Sequence, residues 1–88
     1  MLLLKGEKRS VAMSITSADG VEFEISTATV ELTKRSEVIE KIPCMIDDHK
    51  ISFSIDSANL EKGYYEILVT FSIGPEILKR KKELQIDC

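Results

Sequence analysis

The sequence has 88 residues, of which 43% are hydrophobic and 31% are charged, and its formal net charge at pH 7 is −3. This composition excludes intrinsic disorder, because disordered chains carry too few apolar side chains to form a core. The length suffices for one hydrophobic core, so we expect residues 1–88 to form a single domain. The acidic balance argues against nucleic acid as the main partner.

The first residues argue against export by a signal peptide. Met1 to Leu4 are apolar, but Lys5 ends this run early, and no segment of the sequence is long and apolar enough to cross a membrane. We therefore expect synthesis in the cytoplasm and no membrane partner. The two cysteines, Cys44 and Cys88, fit that compartment as free thiols, although a bridge between them stays open.

Short segments in which apolar and polar residues alternate follow one another along the whole chain, as is typical of half-buried strands. No stretch of helical period is longer than one turn. Ala18-Asp19-Gly20 indicates a hairpin, because Asp-Gly is a strong hairpin dipeptide. This pattern predicts an all-β sandwich of seven to eight strands. The predicted strands span residues 2–5, 9–17, 21–25, 28–34, 38–42, 50–56, 65–73 and 76–87.

The strand at 65–73 has the clearest beginning. Leu60, Gly63 and Tyr65 form the pattern Leu-x-x-Gly-x-Tyr, which is typical of a tyrosine corner. In such a corner the tyrosine ring is buried at the start of a strand and its hydroxyl bonds to the backbone upstream. Gly63 permits the positive φ that a sharp turn requires. The corner is a device of Greek-key sandwiches.

Two segments are candidate interaction edges. The strand that contains Val38, Ile39 and Ile42 is short, and Pro43 ends it by removing a backbone donor, so we expect it at the edge of a sheet. The second candidate is the basic run in the last strand, where lysines would discourage pairing with other chains. That run consists of Lys79, Arg80, Lys81 and Lys82.

Catalytic and metal-binding arrangements find little support in this sequence. His49 is the single histidine, and consecutive residues such as Asp47, Asp48 and His49 point apart in a turn, so they do not form a metal shell. Cys44 lacks a recognisable arrangement with His49 for nucleophilic catalysis. We therefore expect no enzymatic activity, no catalytic residues, no cofactor and no metal.

The order of segments resembles a known group of domains. Ala28-Thr29-Val30 begins one strand, Lys50 to Asp56 forms another, and the Leu60, Gly63 and Tyr65 corner precedes a final hairpin. The sequence is similar here to the small immunoglobulin-like domains of phage and prophage structural proteins, especially the N-terminal domain of baseplate upper proteins.

This resemblance implies an immunoglobulin-like Greek-key β-sandwich of seven to eight antiparallel strands. It also implies a structural or interaction module of a virion, in the baseplate or tail, made in the bacterial cytoplasm. Its partners would be other protein subunits, including phage structural proteins or further copies of itself. A carbohydrate- or ligand-binding module on the same scaffold is the alternative, for which Tyr64 is the available exposed aromatic residue.

Overall fold

The computed structural model of the protein describes residues 1–16, 20 and 22–88. These residues form eight strands and no helix. The part of the chain that is described therefore contains no helix that could span a membrane. The strands are β1 (Leu2–Leu4), β2 (Lys8–Ser14), β3 (Ile25–Lys34), β4 (Glu37–Ile42), β5 (Cys44–Asp47), β6 (Lys50–Asp56), β7 (Gly63–Ile73) and β8 (Glu76–Asp87).

The strands form two sheets, as an all-β sandwich requires. The larger sheet has the order β1-β8-β7-β3-β4, and the smaller has the order β2-β6-β5. Neighbouring strands are antiparallel except β1 and β8, which are parallel. The expectation of antiparallel strands throughout is therefore wrong for this pair. Because β1 and β8 come from opposite ends of the chain, no tight turn constrains their relative direction.

The predicted hairpin at Ala18-Asp19-Gly20 does not join paired strands. Residues 17–19 and 21 lie outside the described residues, but the strands on either side are clear. β2 pairs with β6 in the smaller sheet, whereas β3 pairs with β4 and β7 in the larger one. The segment between them therefore connects the two sheets. Alternation alone does not distinguish such a connection from a hairpin, because both have a strand on each side.

Pro43 ends β4, as predicted, and the chain then enters the other sheet. β5, at Cys44–Asp47, pairs with β6 and was not predicted. β4 and β5 are thus edge strands of different sheets, joined by a single proline that has no backbone N–H to contribute. They close one side of the sandwich.

The core lies between the sheets, and β7 supplies its centre. This strand has β8 on one side and β3 on the other, so its alternate side chains are held over the middle of the larger sheet. Tyr65, Ile67, Val69 and Phe71 are each at most 4% exposed. Burial of a side chain of this size stabilises the fold by about 1.5–3 kcal/mol before entropy is subtracted. The smaller sheet contributes Ile51, Phe53 and Ile55 from β6.

Ser57 is a fully buried polar residue that sequence reasoning did not single out. Its hydroxyl lies 2.7 Å from the carbonyl oxygen of Glu7 and 2.9 Å from that of Leu4. Its backbone N–H also donates to the Glu7 carbonyl, at 2.9 Å. These bonds fasten the end of β6 to the turn between β1 and β2.

We expect Ser57→Ala to lower the free energy of unfolding by about 1–2 kcal/mol, because a buried hydroxyl that donates to the backbone is lost. Urea unfolding followed by circular dichroism measures this change. Ser54→Ala on the exposed face of β6 is the control, and its effect should stay within about 0.5 kcal/mol. Equal unfolding midpoints for the two variants would show that Ser57 does not hold the turn.

Candidate interaction surfaces

The residues of the predicted corner come together at the base of the sandwich. The Tyr65 ring is 4% exposed, and its hydroxyl donates to the Glu61 carbonyl oxygen at 2.6 Å. Leu60 is 5% exposed and belongs to the core. This is the geometry of a tyrosine corner, in which the hydroxyl satisfies a backbone group just upstream of the strand.

Gly63 allows the chain to enter β7 at this angle. Its φ is 150°, a conformation that residues with a side chain rarely adopt. A Cβ atom placed there would lie 3.4 Å from the Nζ atom of Lys34. That ammonium group stands 5.0 Å from the centre of the Tyr65 ring, within the range of a cation–π interaction. The Tyr65 ring is therefore held by the Lys34 ammonium group as well as by the hydrogen bond of its hydroxyl.

The edge strands β4 and β5 each expose two large apolar side chains, and we call these two strands the β4–β5 flank. The exposed residues are Val38 (51%), Ile39 (47%), Met45 (74%) and Ile46 (39%). Exposed apolar residues grouped on sheet edges are typical of protein–protein contacts. Ile42, which we had placed on this edge, is 8% exposed and lies opposite Val30, so its side chain belongs to the core. Among the three residues predicted for this edge, Val38 and Ile39 therefore offer their side chains to a partner, whereas Ile42 offers only its backbone.

The β4 edge carries a bulge. Glu40 lies opposite Leu32 and Val38 lies opposite Thr33, so Ile39 is an additional residue without a partner in β3. Bulges of this kind disturb the regular spacing of backbone groups and hinder strand addition. Side-chain contacts therefore suit β4 better than an added strand does.

The other candidate edge, the basic run, lies in the middle of β8. β8 pairs with β7 along its whole length, and β1 covers only Gln85–Asp87 on its other side. The four basic side chains, Lys79 to Lys82, are all exposed. Lys81 is 3.8 Å from the Glu66 carboxylate on β7. The predicted edge thus exists, although β8 is not the outermost strand of its sheet.

His49 serves a structural role in its turn. Its ring stacks on Phe23 with 4.2 Å between the ring centres, and Nε2 lies 3.0 Å from the Phe23 carbonyl oxygen. Asp48 is the nearest acidic partner, at 3.6 Å. The residues described contain no group of three or more His, Cys, Asp or Glu side chains arranged to hold a metal ion.

Tyr64 is 75% exposed, in contrast to its buried neighbour Tyr65. It borders a shallow groove of about 430 Å³ that Arg35, Glu66 and Glu83 also line. An aromatic face beside carboxylates is an arrangement in which a sugar ring can stack and its hydroxyls can donate. This groove is the place on the larger sheet where the alternative, ligand-binding function would reside.

Comparisons with known proteins extend only to the fold. No known protein family matches the sequence, and no curated protein is significantly similar to it. A solved structure of a DUF4785 family protein from Legionella pneumophila is similar over 98% of this chain, with 17% identity and a TM-score of 0.58. This chain spans 25% of the length of that protein. The likeness supports the two-sheet all-β fold, and the phage resemblance stays a prediction.

We expect Tyr65→Phe to lower the free energy of unfolding by about 1 kcal/mol, because one hydrogen bond is lost. Tyr65→Ala should cost about 3–5 kcal/mol, since it also removes a buried ring. Urea unfolding measures both. Tyr64→Phe is the matched control at the adjacent exposed site and should change stability by less than about 0.5 kcal/mol. A Tyr65→Ala protein as stable as the parent would refute the corner.

The two thiols should react at different rates. Both are free, Cys88 is exposed, and Cys44 is partly buried with its S–H donating to the Ala28 carbonyl oxygen at 3.3 Å. Burial raises the pKa of the Cys44 thiol, so at a given pH less of it is the reactive thiolate.

Iodoacetamide at mildly alkaline pH should therefore modify Cys88 before Cys44, as followed by peptide mass spectrometry. The two rates should converge in urea, where the burial is lost. Equal rates in the folded protein would contradict the protection of Cys44.

Proposed function

We propose that the protein is a non-enzymatic interaction module with an immunoglobulin-like Greek-key topology. The strand order supports this topology. In the variable type of that fold, strands G, F, C and C′ form one sheet, while B, E and D lie in the other. β8, β7, β3 and β4 occupy the first set of positions, and β2, β6 and β5 occupy the second. The Tyr65 corner stands at the start of the strand that corresponds to F, where that fold has it.

The module would act as a structural component of a phage or prophage virion, in the baseplate or tail. The observation that carries the interaction role is the β4–β5 flank, because two consecutive edge strands each expose two large apolar side chains. Burial of these side chains against another subunit would stabilise the contact by about 25 cal/mol per Å² of apolar surface removed from water. The virion assignment rests on the sequence resemblance.

A virion component should be incorporated into assembled particles. Mass spectrometry of density-purified particles from an induced culture of the bacterium that carries the gene should detect the protein at a constant ratio to the tail proteins. In a strain whose only copy of the gene encodes the Val38→Lys variant, less of the protein should be incorporated into particles. The reason is that the contact would then bury a charge.

The matched control is Tyr64→Lys, which changes a more exposed residue on the larger sheet and should leave incorporation unchanged. Absence of the wild-type protein from the particles would contradict the virion role. Incorporation that is equally sensitive to both variants would contradict a specific role of the β4–β5 flank.

The groove beside Tyr64 supports a second candidate, a carbohydrate-binding module. It offers one aromatic ring together with Glu66 and Glu83 as acceptors. This candidate predicts a different result: Tyr64→Ala should abolish binding to sugars on a glycan array, whereas Val38→Lys should not. An array without signal for the wild-type protein would remove it.

A further inference from the structure

The outer edge of β8 is a long, regular strand edge. Its register with β7 runs from Glu76 to Ile86 without a shift, so it carries no bulge. β1 covers Gln85–Asp87, but no described strand pairs with the outer edge of residues 76–84. Nine residues of strand span roughly 30 Å, which is longer than most strands in globular proteins.

The contacts of β1 show which backbone groups this edge presents. The Met1 amino group donates to the Glu83 carbonyl oxygen at 3.2 Å, and the Gln85 N–H donates to the Met1 carbonyl oxygen at 2.9 Å. Residues 83 and 85 therefore direct their backbone groups outward. Because strand geometry repeats every two residues, Lys81 and Lys79 direct theirs outward as well. β1 thus shows that this edge accepts a strand, and the same pattern continues beyond it.

Positive charge surrounds these backbone groups on both faces of the sheet. Lys79 and Lys81 lie on the outer face, whereas Arg80 and Lys82 lie opposite core residues of β7 and so face the sandwich. The Arg80 guanidinium is 5.7 Å from the centre of the Phe71 ring and donates to the Lys79 carbonyl oxygen at 2.9 Å. Arg80 thus occupies a backbone acceptor that a neighbouring strand would use.

A partly apolar groove, which Glu22 and Glu76 also line, lies beside this edge on the side that faces the sandwich. It has a volume of about 480 Å³, and Ile15, Phe23, Leu78 and Arg80 are among its lining residues. Side chains of a strand added to β8 would point alternately into this groove and away from it. The groove therefore offers apolar contact to an inward-pointing residue of an added strand near Leu78.

We propose that the outer edge of β8 binds an extended acidic segment of a partner protein by strand addition. The inference deepens the proposed function, on which it rests, by naming the chemistry of one partner. The added strand would pair with Lys79 and Lys81 through its backbone, and the Arg80 guanidinium would exchange the Lys79 carbonyl for a carboxylate of that strand. Its carboxylates would meet the four basic side chains, and its apolar residues would enter the groove beside Leu78.

The charges decide which segment is accepted. A neutral apolar strand would bury Arg80 and Lys82 without partners, which is strongly unfavourable, and a basic strand would be repelled. A second copy that offers its own β8 would place eight basic residues along one seam. A strand with carboxylates compensates the desolvated cations and adds backbone hydrogen bonds, as in other strand-addition complexes.

The test uses the full-length protein and three ten-residue peptides. The probe is a run of glutamates with one valine placed to face Leu78, so that carboxylates lie on both faces of the added strand. A second peptide carries lysine in place of glutamate, and a third keeps the glutamates but has methyl groups on alternate backbone nitrogens, which removes donors for the sheet. We expect the first peptide to shift the NMR signals of residues 77–83 and to protect the Lys79 and Lys81 amides from hydrogen exchange. The other two should bind at least tenfold more weakly.

Charge reversal supplies the matched variants. Lys79→Glu with Lys82→Glu should weaken binding of the glutamate peptide by about tenfold or more, because two favourable contacts become repulsive. Lys41→Glu with Lys50→Glu makes the same change of net charge on other strands and should reduce binding by less than about threefold.

Equal binding of the methylated peptide would overturn the proposal, because it would show charge attraction without strand pairing. Shifts that map to β4 and β5, or equal effects of the two double variants, would overturn it too. So would concentration-dependent dimers in light scattering that Lys79→Glu with Lys82→Glu abolishes, since a second copy would then be the occupant. None of these results would exclude the module from a virion, because the β4–β5 flank would remain available.

Discussion

The hydrogen bond from the Tyr65 hydroxyl to the Glu61 carbonyl determines where the most buried strand of the protein begins. β7 lies between β8 and β3 and carries the centre of the core. If β7 began one residue earlier or later, its register with both neighbours would shift along its whole length. A shift of one residue would exchange Ile67 and Val69 with their solvent-facing neighbours. The corner prevents this by fixing the chain four residues upstream, with Gly63 supplying the unusual backbone angle.

The two sides of the sandwich differ in chemistry, and this difference follows from how the chain closes them. On one side, Pro43 passes the chain directly from β4 to β5, and the edge strands keep apolar side chains in solvent. On the other side, no described strand pairs with the outer edge of β8 before Gln85, and its positions opposite Val69 and Ile67 carry Arg80 and Lys82. Inward-pointing charges of this kind prevent indiscriminate pairing of sheet edges. The protein thus offers an apolar contact and a basic one on opposite sides.

Local patterns predicted most of the strands, but the alternating segment 21–25 was wrongly predicted as a separate strand, since residues 22–24 lie outside any strand and β3 begins at Ile25. The bounds of β6 and β8 agree with the sequence prediction, and β4 differs by one residue. β5 was missed because Met45 and Ile46 are adjacent apolar residues in a segment too short to show alternation. The parallel pairing of β1 with β8 was also missed, since it joins residues more than 80 positions apart in sequence. Such pairings depend on the whole sheet rather than on any segment.

For the site residues too, local sequence patterns were predictable and contacts between distant residues were not. The corner was predictable because its three residues are close in sequence and have a fixed spacing. Ser57 gave no such indication, because its two carbonyl partners lie some fifty residues away. The contact of Arg80 with the Lys79 carbonyl depends on a side-chain rotamer, which sequence patterns do not specify. Ile42 was assigned to an edge correctly as a backbone position, but its inward direction depends on the register with Val30.

The parallel course of β1 along β8 has a practical consequence for recombinant work. The Met1 amino group already bonds to Glu83, so residues that an expression vector adds before it would be directed along the strand toward Lys81 and Lys79. An amino-terminal affinity tag would then lie over the basic run and, if acidic, would imitate a bound ligand. A tag added after Cys88 would extend away from Lys79 and Lys81, so the basic run would stay accessible in binding experiments.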